Sequence, residues 1–300
     1  MSVGQGCPVF LRKDLVNRRT NPMAGIDINY NASAVNSYNS LANTYTALSK
    51  VVSQLSSGLQ IQSASDNPAG YVIGQYLEQQ GNGYTQAISN VQSAVSVLQT
   101  AQGALGQEAS ILQTMNILAT QVANGGTQTA TTMAATQAQF ASLQAQLDQI
   151  AASTNFGGTS LLDGSYTAQI FQVGPYNTTS NQVSLSIADS SSSALAVSSA
   201  SVSVGTVAAA QAAMTAVQAA ISSVALQAAN VGATQNRMTS LSSNLVTAKE
   251  NIDAAHANLV NVDVAEATTR FASLQILQQA GMSVLYQAQN LPSLAQKLLQ

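Results

Sequence analysis

Apolar residues at the C-terminal end of the chain fall at Val260, Val264, Ala267, Phe271 and Leu274, then again at Gly281, Leu285 and Ala288. Steps of four and three trace one seam along a helix. Gln, Ser and Thr fill most of the positions between them. The other end of the chain answers with Ala34, Tyr38, Leu41, Tyr45, Leu48, Val52, Leu55 and Leu59, again in steps of four and three. Stripes this narrow are of the coiled-coil kind and cannot be buried by their own helix. The simplest assignment is that the two ends bury each other and their copies in neighbouring subunits. Leu41, Leu48, Leu55, Phe271, Leu274, Leu277 and Leu285 are the expected inner-seam residues, with Tyr38 and Tyr45 as core fillers on the same stripe.

Between these ends the pattern predicts a helix over about 31–56, then a change of element at Gly58 and Asp66-Asn67-Pro68. Pro68 suits the first turn of a new helix, with Asp66 or Asn67 as its cap. That helix restarts at Val72 and Ile73 and runs on through Ile88, Val91, Leu98, Leu105 and Leu112 to about Ala123, where Asn124-Gly125-Gly126 ends it. A shorter helix carries Met133, Phe140, Leu143, Leu147 and Ile150 on one face and reads as an antiparallel return. Residues 154–205 change character. Phe156-Gly157-Gly158 and Asp163-Gly164 signal turns. Ile170, Phe171 and Val173 fit a short strand, and Val183, Leu185 and Ile187 alternate as its partner across a turn at 175–181. Residues 189–203, mostly Ser and Ala, read as weakly structured or as a plain surface hairpin. Helical periodicity returns near Val207 and runs through Met214, Ile221, Val231, Met238 and Leu245 to Leu259, with a break near Asn261. The fold class is mainly α: a long antiparallel helical bundle or coiled coil with paired N- and C-terminal helices and a small β-hairpin insert.

Composition sharpens this picture. Only 7% of the residues are charged, against roughly 25% in ordinary soluble domains. Helices with so few ion pairs rely on packing. Each buried Leu or Val is worth on the order of 1.5–3 kcal/mol, but only with a partner present, so the free monomer should have labile ends. Arg12, Lys13, Arg18 and Arg19 lie in the first 22 positions; from Met23 onward there are five basic and eleven acidic residues, a net of −6. Nothing there resembles a phosphate-binding surface, so nucleic acid is not an expected partner. The one cysteine, Cys7, also lies in this leader. No apolar run reaches the roughly 18–20 residues that span a bilayer; the charge-free stretch from Val204 to Thr234 is broken by Gln, Ser and Thr, and membrane insertion is not expected. The leader lacks an apolar core followed by a small-residue cleavage site, and residues 1–22 read as an upstream extension that is not native, with Met23 as the working start; a real, cleaved or disordered leader is the alternative.

A search for chemistry returns little. The sole histidine, His256, sits among alanines with at most Asp253 or Glu250 nearby, which makes no zinc site. There is no phosphate-binding loop; Gly103 and Gly106 fall inside a helical pattern. Serines abound, but no base is available for a nucleophile triad. Asp263 and Glu266, three apart on one helix face, could act as acid and base in principle, yet a solvated face explains them more simply. No catalytic residue, cofactor site or metal site is expected, and the chain does not read as an enzyme.

Five stretches together resemble one family. Ile276 to Leu299, "ILQQAGMSVLYQAQNLPSLAQKLL", is similar to the C-terminal signature of bacterial flagellins, and Leu55 to Gly70, "LSSGLQIQSASDNPAG", to their N-terminal signature. "GATQNRM" (232–238), "NVDVAEAT" (261–268) and "TNFGGTSLLDG" (154–164) resemble further flagellin segments in the expected order. The resemblance implies a subunit that polymerises into the flagellar filament for motility. It implies that residues 23–65 with 261–300 form the inner coiled-coil core, 66–165 with 206–260 a helical rod, and 166–205 a short outward-facing β segment. It also implies secretion through the flagellar type III export apparatus with a flagellin chaperone, and hook-associated and cap proteins as further partners. The seven inner-seam residues then become the expected polymerisation interface. A hook–filament junction protein would share the same end helices, and a secreted surface adhesin is a reading from another class. Some family features are missing: Gln60 and Ser65 stand where Arg and Lys are frequent, and Thr114 to Ile117 replace a charged run that an innate immune receptor reads in some flagellins. That implies weak recognition here.

Overall fold

A computed structural model describes residues 31–298, with side chains up to Asn290. The expected leader, Cys7 and the Met23 start lie outside the described residues. The elements are α1 (Ala32–Ser57), α2 (Pro68–Ala123), α3 (Ala130–Ser153), β1 (Asn155–Phe156), β2 (Thr159–Ser160), β3 (Gln169–Gln172), a 3-10 turn at Thr179–Asn181, β4 (Gln182–Leu185), α4 (Val207–Val260) and α5 (Val264–Leu298). The chain divides into two compact units, one holding α1 and α5 and the other spanning Ile61–Asn261.

The larger unit is built on α2 and α4. Asn67 caps α2 by accepting from the Gly70 amide at 3.0 Å, and Pro68 supplies its first turn. Along α2, residues 87, 91, 94, 98, 101, 105, 108, 112, 115, 119 and 122 are all buried, an unbroken alternation of fours and threes. On α4 the matching buried stripe begins Ala210, Ala213, Val217, Ala220, Val224 and continues at Val231, Met238 and Leu245. The two helices run antiparallel along their whole length. A Cβ on Gly74 would lie 2.9 Å from Val260 Cγ2, and one on Gly125 would lie 2.7 Å from Val207 Cγ2, at the opposite end. At about 1.5 Å per residue the pair extends roughly 80 Å. By length and composition α4 is apolar enough to cross a bilayer, but its stripe is spent against α2, while Gln211, Thr215, Gln218 and Ser222 keep the other face polar. α3 returns along α2 and seats Phe140 and Leu147 in the shared core.

The segment 154–206 packs on this scaffold. β1 and β2 form a tight hairpin with Gly157 and Gly158 both at positive φ, the geometry that a two-residue hairpin turn needs. β3 and β4 pair antiparallel with Phe171 opposite Val183, and Val183, Leu185 and Ile187 point inward. The Ser- and Ala-rich stretch corrects the expectation of a weakly structured segment or surface hairpin. It forms no strand, yet Ser190, Ser192, Leu195, Val197, Val202 and Val204 are buried. Its backbone is tied to helix side chains: Gln144 Nε2 donates to the carbonyls of Val197 and Val202, and Asp148 accepts from the Ser192 amide and hydroxyl. Small side chains let the backbone lie close to the helices, and polar helix residues satisfy it there.

Candidate assembly interface on the terminal helices

The described part of the smaller unit starts at Asn31. Its carboxamide oxygen caps α1 at the Ala34 amide (3.0 Å), while its Nδ2 donates across to the Ala288 carbonyl at 2.6 Å. α1 ends at Gly58, whose φ of 73° allows its amide to return to the Gln54 carbonyl. The Gly58 carbonyl then accepts from Val262 at 2.9 Å. Asp263 caps α5, its Oδ1 accepting from Ala265 and Glu266, and Glu266 pairs with Arg270 at 3.1 Å on an exposed face. The two carboxylates considered for acid–base work therefore serve helix capping and a surface ion pair.

These anchors fix the register of an antiparallel α1–α5 pair. A Cβ on Gly281 would lie 3.3 Å from Leu41 Cδ1. Carried along both helices, that alignment sets Ala34 level with Ala288, Ser37 with Leu285, Thr44 with Gln278, Leu48 with Leu274, Val51 with Phe271 and Leu55 with Ala267. All fourteen of these positions are buried or half-buried. Leu41, Leu285 and Leu55 each face a small residue, Gly281, Ser37 and Ala267, which lets the backbones approach there. Of the seven expected interface residues, Leu41, Leu48, Leu55, Phe271, Leu274 and Leu285 lie on this seam. Leu277 does not; it is 56% exposed.

The expected place of the tyrosines is also corrected. Tyr38 and Tyr45 are 62% and 63% exposed. They lie one position past Ser37 and Thr44, which occupy the seam instead, and Val52 stands in the same relation to buried Val51. Two adjacent stripes on α1 have the same four-and-three spacing. The antiparallel pairing with a helix carrying Gly281 and Ala267 selects the stripe with the smaller side chains, and leaves the bulkier one outside. Tyr38, Ala42, Tyr45, Gln278 and Met282, with Leu41 at its base, line an open groove of about 380 Å³ on this face. Further along α5, Ile276, Leu277, Val284 and Tyr286 are also exposed. Among the described residues of the pair, only Val51, Ala267 and Ala288 are buried. No group of three or more His, Cys, Asp or Glu side chains lies together among the described residues, and His256 is half-buried on α4.

The family model of the bacterial flagellin N-terminal helical region matches residues 28–167, and that of the C-terminal helical region matches residues 214–300. The chain belongs to the bacterial flagellins. The flagellin of Bacillus subtilis strain 168 is 34% identical over 91% of this chain and 99% of its own length. That of Halalkalibacterium halodurans strain C-125 is 33% identical over the same shares. Among solved structures, a candidate flagellar hook-associated protein from Vibrio parahaemolyticus superposes with a TM-score of 0.54 at 15% identity, covering 65% of this chain and all of that one; it supports the helical fold alone. The flagellin matches fall on α1 to β2 and on most of α4 with α5, and leave residues 168–213 outside both family models.

Proposed function

We infer that this flagellin is the structural subunit of a bacterial flagellar filament, and that its α1–α5 unit supplies the cohesion of an inner layer. The observation that carries the reading is the half-finished burial of that unit. Two helices of 26 and 35 residues spend one narrow seam on each other and leave Tyr38, Tyr45, Val52, Leu277 and Met282 outside. A face of large apolar side chains on a monomer calls for a partner, and identical subunits meeting through unlike faces build open helical polymers. Scarcity of charge keeps the desolvation cost of such packing low.

In this reading residues 23–65 with 261–300 form the inner core, 66–165 with 206–260 the rod, and 166–205 the outward segment. Leu41, Leu48, Leu55, Phe271, Leu274 and Leu285 hold the α1–α5 pair, and Leu277 joins the tyrosines on the face that meets the next subunit. The chain leaves the cell through the flagellar type III export apparatus, escorted by a flagellin chaperone, and assembles beneath cap proteins on hook-associated ones.

The test is seeded polymerisation. Purified monomer is mixed with short filament fragments and followed by sedimentation and negative-stain electron microscopy, beside a sample lacking the last 40 residues. Filaments from the first and none from the second are expected. Filaments from both would remove α5 from the mechanism, and none from either would overturn the filament reading.

A further inference from the structure

Glu108 occupies one position of the buried heptad stripe of α2, between Leu105 and Leu112 and among neighbours that are otherwise Ala, Val, Leu or Met. It is completely buried. Its Oε1 accepts from the Ser190 hydroxyl at 2.8 Å, and Ser190 is itself fully buried. Its Oε2 has no partner. A carboxylate in that position has one hydroxyl as its compensation, where a buried charge normally needs a counter-charge and further hydrogen bonds.

No counter-charge is available either. From Val51 to Asn236 the sequence contains no Lys, Arg or His. Besides Glu108, the charged residues of that span are all acidic: Asp66, Glu78, Asp148, Asp163 and Asp189. The loop contributes Asp189, beside Ser190, and α3 contributes Asp148, which holds Ser192. The remaining charge on α2 is Glu78, thirty positions away, and α4 carries none before Arg237. Burial pushes the Glu108 carboxyl up to about 7, with the Ser190 hydroxyl opposing and the Asp189 carboxylate adding to the rise.

What covers Glu108 on the loop side is irregular backbone. Residues 188–192 are held by the Ser190 amide on the Leu162 carbonyl, by Asp148 on Ser192, by Gln227 on the Ala188 carbonyl and by Glu108 on Ser190. α2 and α4 are continuous helices of more than fifty residues, so water reaches Glu108 at least cost by lifting this loop.

We propose that Glu108 is a proton-operated latch, which holds the 188–192 loop against the rod helices while its carboxyl carries a proton and releases it when the proton is lost. The step is a simple ionisation. The O–H bond of the carboxyl breaks, the proton passes to solvent, and the bare oxygens draw water in beneath the loop. Protonation reverses it. Surface presentation of the Ser-rich segment then varies with the surrounding pH.

The test uses the full chain as monomer, labelled with carboxyl 13C glutamate. The sequence has four glutamates, Glu78, Glu108, Glu250 and Glu266, so the spectrum has four signals to follow from pH 4 to 9. One signal is expected to titrate near 7 and to be absent in Glu108→Gln. Over the same range, amide exchange at 188–192, corrected for its intrinsic pH dependence, should accelerate through the Glu108 midpoint in the wild type and stay slow in Glu108→Gln. Ser190→Ala keeps the test sound if Glu108→Gln folds poorly: losing the hydroxyl should move the Glu108 midpoint upward. Four signals titrating in the ordinary carboxylate range, or loop exchange indifferent to the Glu108 midpoint, would overturn the latch.

Discussion

At the scale of single residues, neighbouring positions on α1 do different work. Leu48 lies on the seam with α5, and Tyr45 lies beside it with most of its ring in solvent. Tyr45→Asp is therefore expected to leave the α1–α5 pair intact, with unchanged helical content by circular dichroism, while preventing seeded growth. Leu48→Asp or Leu285→Asp should break the pair and prevent growth together, leaving the larger unit soluble; normal filaments from either would sink the assignment. Glu108 gives a prediction in pH. Its folded value is raised from 4.5 to about 7, so the folded state binds more protons than the unfolded one between those limits. Stability is greatest below about 4.5 on this account and falls as pH rises through 7, by of order 3 kcal/mol in total. Denaturant midpoints at pH 5 and pH 8 should differ in the wild type and far less in Glu108→Gln. Leu48 and Leu285 were legible in the sequence as seam residues, whereas the outward place of Tyr45 and the burial of Glu108 were not. Hydrophobic spacing marks two stripes on α1 equally well, and the choice depends on Gly281 and Ala267 across the pair. Glu108 was invisible because one polar residue in a heptad looks like a surface position until a loop is seen to close over it.

At the scale of elements, α2 is the informative case. It runs unbroken for 56 residues through Gly74, Gly81, Gly83, Gly103 and Gly106. Interior glycines each cost a helix roughly 1 kcal/mol relative to alanine, so some should be there for space. The structure divides them. A Cβ on Gly83 would sit 2.6 Å from Pro175 Cβ, in the turn joining β3 to β4, whereas one on Gly103 would meet nothing within 4 Å. Gly103→Ala should therefore stabilise the larger unit by about 0.5–1 kcal/mol, and Gly83→Ala should destabilise it by about 1–3 kcal/mol as the turn is displaced. Chemical denaturation of both variants checks the pair. The helix boundaries were legible because their start and stop signals are local: Asn67-Pro68 opens α2, and Asn124-Gly125-Gly126 and Asn261 close α2 and α4, each within one turn. The packing of residues 189–204 was not, since it depends on Gln144 and Asp148 reaching from α3, and no periodicity in the segment itself announces them.

At the scale of the whole molecule, the two units differ in how much they bury. α1 has one fully buried residue, Val51, while α2 has sixteen. In the monomer, amides of α1 and α5 should exchange much faster than those of α2 and α4, and should become protected on polymerisation; equal protection in the monomer would contradict the need for a partner. The connection between the units adds one more consequence. The chain enters the larger unit at Ile61 and leaves it at Asn261, and the Ile61 amide lies 3.4 Å from the Val260 carbonyl. Two helices separated by some two hundred residues of sequence thus meet as if tethered by a very short linker. Their pairing becomes a unimolecular step at an effective concentration in the millimolar range, available only after the long helices have closed. A free peptide copying α5 would have to reach that concentration to compete with the α5 of a folded subunit.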